Sequence, residues 1–118
     1  MGSLQMIRSA VDFQQIQGQS RTRAHPALLL RYRRNELGHT RFGISTGRRV
    51  GGAVVRNRIR RRLREILRRL SPGIEPGWDI LIVARLPAAE ATQAELEAIL
   101  ERLIQQAGLL VTETIGSN

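Results

Sequence analysis

Apolar residues between positions 53 and 70 recur every three to four residues, which is the spacing of an amphipathic helix. Ser71, Pro72 and Gly73 follow directly and are expected to end it. On a helical wheel the apolar residues share one side, which we expect to face the core: Val55, Ile59, Leu63, Ile66, Leu67 and Leu70. The opposite side carries Asn57, Arg61, Arg64 and Arg68, and further arginines flank it.

Two more helices are predicted, one near each end of the chain. Residues 10–17 form a short helix with Ser9 as its N-cap, ended near Gly18. Residues 92–95 read Thr-Gln-Ala-Glu, which is a capping box. The helix behind it has a Leu-rich side and ends at Gly108. The tail from residue 109 to residue 118 is expected to be frayed.

Strand patterns occupy the segments between these helices. Residues 27–33 and 39–46 form two strands around a turn at residues 35–38. The second strand alternates, with Phe42 and Ile44 on one face; the other face, with Arg41, Gly43 and Ser45, is predicted to be shallow and open. Residues 78–84 are an almost continuous apolar run, typical of a central strand covered on both faces. Residues 19–23 fit either an edge strand or a loop.

The predicted fold class is α+β. A chain of 118 residues with 42% apolar residues forms one domain around one modest core. The predicted order is α-β-β-α-β-α, with the additional short strand near residue 20 left open. We therefore expect a small mixed sheet of three to four strands packed with three helices. The domain spans residues 1–118, and its ordered part runs from about residue 7 to residue 107.

Charge is unevenly distributed along the chain, whose formal net charge is +9. Residues 1–71 hold 17 arginines and three acids, whereas residues 72–118 hold two arginines and seven acids. Eight of the seventeen residues at positions 54–70 are Arg, and only Glu65 is acidic. A solvated helix face usually places acids four residues from its bases, so this face favours a nucleic-acid partner. The absence of Lys fits phosphate binding, but genomic base composition explains it more simply.

The basic helix and the loop before it have alternative uses. A basic amphipathic helix can lie on a membrane surface, but a small domain needs the apolar side of this one for its core. The loop at residues 47–52 either binds phosphate through its backbone and the helix start, or uses its glycines only to turn. It lacks the Lys-Ser/Thr pair of a nucleotide P-loop.

Catalytic chemistry is not predicted for the side chains of this chain. It has no Cys, which excludes disulfides and thiol catalysis and fits a reducing cytoplasm. His25 and His39 are isolated, and the acids show no paired geometry. No protein-held metal site, membrane span or secretion signal is expected. The aromatic residues are too few for serial base stacking; Phe42 and Trp78 are expected in the core, and Phe13 either in the core or in contact with a ligand.

The run from residue 41 to residue 65 contains a glycine-bearing strand, a Ser, two basic residues, a Gly, Ala-Val, and Arg56-Asn57-Arg58 on a helix. This spacing closely resembles the signature of the bacterial ribonuclease P protein subunit. Residues 78–85 and the Leu-rich helix resemble later parts of that family, so that the resemblance covers roughly residues 7–107. It implies a fold like the second domain of ribosomal protein S5, with a left-handed βαβ crossover that departs from the general right-handed rule.

The resemblance also implies a function. Proteins of this family bind a large catalytic RNA, and the holoenzyme, an endoribonuclease, removes the 5′ leader of precursor tRNA. The RNA and its Mg²⁺ ions carry the chemistry, and the protein is monomeric when free. The catalytic RNA and precursor tRNA are the expected partners. The positions expected to bind RNA are Arg48, Arg49, Arg56, Asn57, Arg58, Arg60, Arg61, Arg64 and Arg68.

A cleft between the N-terminal helix and the open sheet face is implied to hold the single-stranded leader. Phe13 matches the first aromatic residue of that cleft, and Arg41 and Ser45 would line its floor. A second aromatic residue, common in the family one turn later, is missing, so Ile16 would offer apolar contact instead. The alternatives are a structural RNA-binding or ribosomal-type protein without substrate contact, and a sequence-nonspecific DNA binder.

Overall fold

The computed structural model describes residues 4–111, which form three α-helices and one four-stranded sheet. In chain order the elements are α1 (Ala10–Gly18), β1 (Arg21–Ala24), β2 (Leu28–Arg34), β3 (Arg41–Thr46), α2 (Ala53–Leu70), β4 (Trp78–Ala84) and α3 (Gln93–Gln106). Short 3-10 helices occupy Arg48–Val50, Ser71–Gly73 and Leu86–Glu90. The predicted α+β class, with three helices on a small sheet, is confirmed.

The sheet is mixed, with strand order β1-β2-β4-β3. β4 pairs antiparallel with β2 and parallel with β3, and β1 pairs antiparallel with β2. The segment near residue 20 is thus an edge strand, in which Arg21 lies opposite Tyr32. β3, α2 and β4 form the βαβ unit between adjacent parallel strands. The left-handedness of this βαβ crossover stays a prediction from the resemblance.

The main core lies between one sheet face and the helices α2 and α3. β2, β3 and β4 contribute Leu28, Leu30, Tyr32, Phe42, Ile80 and Ile82 to it. The predicted apolar side of α2 is confirmed, because Ile59, Leu63, Ile66 and Leu67 are all fully buried. The Leu-rich side of α3 packs against them, and the capping box of Thr92 and Glu95 begins that helix as predicted. This burial of apolar surface is the main force that holds α2 in place.

A second, smaller apolar cluster lies on the other sheet face, beneath α1. Ile7, Ile16 and Leu81 are buried there, and Phe13 and Val83 pack against them. The predicted alternation in β3 is confirmed, because Phe42 belongs to the main core while the neighbouring residues face α1. The face predicted to be open is therefore covered in part by α1.

The chain stays packed at both described ends. The backbone amide of Ile7 donates to the carbonyl oxygen of Phe42 in β3. The segment around Met6, before α1, therefore pairs in parallel with the edge of β3. Leu109 is fully buried, and its carbonyl oxygen accepts a 2.8 Å hydrogen bond from the amide of Glu75. The prediction that the chain frays from residue 109 is wrong for residues 109–111, because this segment bonds to residues 73–75. The rest of the predicted tail lies outside the described residues.

Candidate nucleic-acid interface

The side of α2 that points away from the core is a cationic surface. Its members are exposed, and we call them the outer face of α2: Asn57, Arg61, Arg64 and Arg68. Glu65, the single acid of the helix, accepts a hydrogen bond from Gln93 of α3 at 3.1 Å. Glu65 is one charge beside three outer arginines and forms an ion pair with none of them within the described residues, so a polyanion would relieve their mutual repulsion.

Arginines on one flank of α2 are bonded within the protein. Arg58 and Arg62 donate to the carbonyl oxygens of Ala89 and Ala91 at 3.2 and 2.9 Å, which attaches the segment after β4 to the helix. Arg58 was predicted to bind RNA, but its half-buried guanidinium has fewer free N–H groups than those of the outer face. Farther along the helix Arg69 pairs with Glu97, and this hydrogen bond lowers the pKa of the Glu97 carboxyl.

The Arg-Asn-Arg motif is divided between different sides of α2. Asn57 points outward, and its side-chain oxygen accepts a 3.1 Å hydrogen bond from Arg60. Arg56 is half-buried, and its Nε has no hydrogen-bond partner among residues 4–111. The Asn57–Arg60 bond orients the Asn57 amide so that its NH₂ group is directed outward as a donor.

The loop before α2 presents two more arginines. Arg48 and Arg49 are exposed, while the next residue, Val50, is buried and anchors the loop to the core. Gly51 has φ of +154°, and a Cβ on it would lie 2.9 Å from the Cβ of Val55, so only Gly fits there. Gly52 is the N-cap of α2 and has open space around its Cα. The backbone turn therefore explains why position 51 is Gly. Gly52, which has no side chain, leaves the start of α2 accessible to an anion.

Arg41 lies on the α1 side of the sheet, as predicted, but it is engaged by two carboxylates. Its Nε and Nη2 donate to the two carboxylate oxygens of Asp79 at 2.9 and 2.8 Å, and its Nη1 donates to Asp12 at 3.1 Å. Asn35 adds a 2.8 Å hydrogen bond to Asp79. Burial by itself would raise the pKa of Asp79, but the hydrogen bonds from Arg41 and Asn35 hold that pKa below its ordinary value. Arg41 therefore anchors α1 to the sheet.

The two apolar residues predicted for the cleft differ in their exposure. Phe13 is half-buried, and its Cζ lies 3.0 Å from where a Cβ on Gly43 would be. The missing side chain of Gly43 thus makes room for the Phe13 ring. Ile16 is fully buried between α1 and the sheet. The expectation that Ile16 contacts a leader is wrong, because its side chain is used to pack α1 and has no free surface.

The open part of this face lies beside α1 and is called the sheet cleft, formed by Leu29, Arg31, Ser45 and Val83. Ser45 is half-buried there, as predicted. Arg31 was missed, although it lies opposite Leu81 and therefore shares this face. The alternation of buried Leu28 and Leu30 could have placed it, since every second residue of a strand points to the same side.

The outer face of α2 and the sheet cleft lie on opposite sides of the sheet, because α2 packs on one face and α1 on the other. The loop at residues 47–52 runs from the end of β3 to the start of α2 and so connects the two surfaces. Residues 4–111 contain no group of three or more His, Asp or Glu side chains arranged to hold a metal ion. None of the described helices combines the length and apolar character that crossing a bilayer requires.

Comparisons with known proteins agree with this geometry. A model of the Ribonuclease P family matches residues 1–108. The chain is 43% identical over 112 residues to the ribonuclease P protein component of Roseiflexus castenholzii, covering 92% of each chain. It is 37% identical to that of Oceanobacillus iheyensis, over 88% of this chain and 87% of the relative.

Solved structures show the same similarity. The RNase P protein of Staphylococcus aureus superposes with a TM-score of 0.83 at 31% identity, over 90% of this chain and 97% of that one. The RNase P protein of Thermotoga maritima gives a TM-score of 0.76 at 25% identity, over 86% and 96% of the two chains. This chain therefore belongs to the ribonuclease P protein component family, which places it in tRNA processing as part of a ribonucleoprotein.

Proposed function

We propose that this chain binds the catalytic RNA of ribonuclease P together with the 5′ leader of precursor tRNA, and so helps the holoenzyme to remove that leader. One observation carries the proposal: a cationic helix face and a sheet cleft lie on opposite sides of the same sheet. A protein that only stabilised an RNA fold would need the first surface alone. Two surfaces allow one protein to hold a catalyst and its substrate at once.

The catalytic RNA is assigned to the outer face of α2 and to the loop before it. Arg61, Arg64 and Arg68 are exposed, and none of them forms an ion pair with a carboxylate of residues 4–111. The neighbouring Glu65 bonds to Gln93 instead. A guanidinium donates in a planar fork that matches two phosphate oxygens, so this row suits an RNA backbone. Arg48 and Arg49 extend the row past the start of α2, where unpaired backbone N–H groups also favour phosphate. Arg56 and Arg60 lie at its margin.

The leader is assigned to the sheet cleft. Its floor combines the apolar Val83 and Leu29 with the hydroxyl of Ser45 and the guanidinium of Arg31, a mixture that suits bases and phosphates of a single strand. Phe13 forms one wall with a partly exposed ring. Because a second aromatic residue is absent and Ile16 is buried, we expect the leader to be held more by its backbone than by stacking.

The protein's own residues bind and position RNA, and the chemistry is assigned to the RNA subunit with its Mg²⁺ ions. Asp79, the buried carboxylate beside the cleft, has both oxygens occupied by Arg41 and Asn35, so it is neither a base nor a metal ligand. The arginines offset the repulsion between two polyanions and hold the leader in one orientation, which lowers the entropic cost of the cleavage step. We assign this work to the cytoplasm, with the free protein a monomer.

The test measures precursor tRNA cleavage by the catalytic RNA at low Mg²⁺, with and without the protein. The protein should raise the cleavage rate, and the holoenzyme should bind a precursor with a leader more tightly than mature tRNA. Arg102→Ala, which removes one exposed arginine from α3, is the control for a general loss of charge and should raise the cleavage rate as the wild-type protein does. An unchanged cleavage rate would contradict the proposal. Higher cleavage without any preference for the leader would favour a structural RNA-binding protein, and equal affinity for duplex DNA at matched salt would favour a nonspecific binder.

A further inference from the structure

A pocket of about 610 Å³ opens at the end of the sheet where α1 leads into β1. Gln19 and Ser20, which follow α1, form one wall, and Arg21 at the start of β1 forms the next. The remaining walls come from the end of β2 and the start of β4. This volume is within the range of about 300–1,000 Å³ that holds small organic ligands.

The pocket is strongly cationic. Arg21, Arg33 and Arg34 line it, and none of the carboxylates in residues 4–111 does. Arg33 forms a salt bridge with Asp79 at 3.6 Å, outside the lining. Arg21 and Arg34 form no ion pair with a described carboxylate, so these two guanidinium groups indicate an anionic ligand.

An aromatic wall completes the site. The guanidinium carbon of Arg34 lies 5.0 Å from the centre of the Trp78 ring, and Tyr32 packs against the same ring with centroids 5.9 Å apart. An arginine stacked on an aromatic ring is held flat, which keeps its N–H edge and its other face available. Trp78 packs against the main core, as expected, but is only half-buried because it also borders this pocket.

Two polar atoms in the lining residues lack protein partners. Ser20 Oγ and Arg33 Nε are both buried from solvent without a hydrogen bond to any described residue. Buried polar atoms are bonded in nearly all native structures, and each exception calls for an explanation. Neither atom reaches the pocket surface, so a bound ligand would pair with them only after the two side chains turn toward it.

We propose that this pocket binds one nucleotide of single-stranded RNA. Its phosphate would contact Arg21 and Arg34, and its base would stack on the Arg34–Trp78 pair. Arg33 connects the pocket to the face under α1, since it is two residues from Arg31 of the sheet cleft, or about 7 Å along the strand. Tyr32, Arg34 and Trp78 belong to the opposite sheet face, so an RNA strand that leaves the cleft would enter the pocket around the end of the sheet beyond α1. The nucleotide is thus a leader nucleotide beyond those in the cleft, an assignment that rests on the proposed function.

Leader length provides the first test. Holoenzyme containing the wild-type protein should bind precursors more tightly as the leader grows long enough to enter the pocket. In Arg21→Ala this gain should be lost, with about three- to tenfold weaker binding of long-leader precursor and unchanged binding of mature tRNA. Arg23→Ala is the matched control, because it removes the same charge from the same strand but does not line the pocket. It should behave like wild type.

The outcomes separate this inference from the proposed function. If wild-type holoenzyme showed no preference for a leader at all, the proposed function would fail. If the preference were present but Arg21→Ala kept the full gain with leader length, only the pocket would be overturned. Equal weakening of Arg21→Ala toward precursor and mature tRNA would also overturn it, because the arginine would then contact another part of the RNA.

Fluorescence gives an independent readout, because Trp78 is the single tryptophan of the chain. Titrating the free protein with a short single-stranded RNA should change Trp78 emission at saturation, and Arg21→Ala should shift the midpoint to about three- to tenfold higher RNA concentration. The midpoint of Arg23→Ala should stay within error of wild type. Inorganic pyrophosphate should compete with the RNA. An emission that stays constant through saturation, measured in parallel by anisotropy of a labelled RNA, would exclude base contact at Trp78.

Discussion

Arg41 holds both carboxylate oxygens of Asp79, a fully buried residue 38 positions away in sequence, through hydrogen bonds of 2.9 and 2.8 Å. The same guanidinium reaches Asp12 of α1. The start of β3, the start of β4 and the N-terminal helix are therefore joined at one point. This arrangement holds α1, and with it Phe13, against the sheet.

Asp79→Asn should lower the free energy of unfolding by about 2–3 kcal/mol at pH 7, because it removes the charge that Arg41 and Arg33 face. The pKa of Asp79 is lowered in the folded protein, so its stabilising effect is complete above the unfolded pKa of about 4 and is lost as pH falls below it. Urea unfolding of wild type and variant between pH 7 and pH 3 should show the difference in unfolding free energy shrinking below about pH 4. A difference that stayed constant over this range would mean that Asp79 carries no charge-dependent stability.

Gly43→Ala should destabilise the protein through Phe13. The new Cβ would lie 3.0 Å from Phe13 Cζ and 3.1 Å from Leu81 Cδ1, so the ring must move. We expect a loss of about 1–2 kcal/mol in unfolding free energy and weaker leader binding by the holoenzyme. In a Phe13→Ala background the same substitution should cost clearly less, because only the 3.1 Å contact with Leu81 Cδ1 remains. A double-mutant cycle measured by urea unfolding checks this, and additive effects would show that the two residues do not interact.

The arginines of α2 should separate into two groups. Arg61→Ala with Arg64→Ala should leave stability unchanged but flatten the salt dependence of catalytic RNA binding, by roughly one to two units of slope in log K against log[salt]. Arg58→Ala with Arg62→Ala should lower the unfolding free energy by about 1–2 kcal/mol, because the carbonyl oxygens of Ala89 and Ala91 lose their donors. Filter binding over a salt series and urea unfolding measure the two effects. Identical salt slopes for wild type and the Arg61/Arg64 variant would mean that these arginines are ordinary surface.

The glycines before α2 should respond differently to the same substitution. Gly51→Ala should cost about 1–3 kcal/mol of unfolding free energy, because its φ of +154° and the nearby Val55 side chain exclude a Cβ. Gly52→Ala, the matched control, has open space and should cost only about 0.5–1 kcal/mol, the loss expected when Ala replaces Gly at an N-cap. If a phosphate of the catalytic RNA lies against the backbone at the start of α2, Gly52→Ala should still weaken binding of that RNA. Unchanged RNA affinity for Gly52→Ala would leave only a turning role for this loop.

Local patterns in the sequence predicted the elements that carry their own periodicity. The apolar side and cationic outer face of α2, the buried run of β4 and the capping box of α3 were all correct. Their signals lie within one turn or one pleat, where backbone geometry alone decides which side chains share a face. The alternation in β3 likewise separated Phe42 from Arg41, Gly43 and Ser45 before any pairing was known.

Contacts between distant segments decided the rest. Only the docking of α1 shows that Ile16 is buried and that Arg41 is held by Asp12 and Asp79. The register of β2 against β4 brings Arg34 beside Trp78, and the bonding of Leu109 to residue 75 keeps the segment directly after α3 packed. Sequence spacing determined what each element offers to solvent or core. Tertiary packing decided which of those side chains stay free for RNA, because a charge or an apolar group is available only if no neighbour from another element already satisfies it.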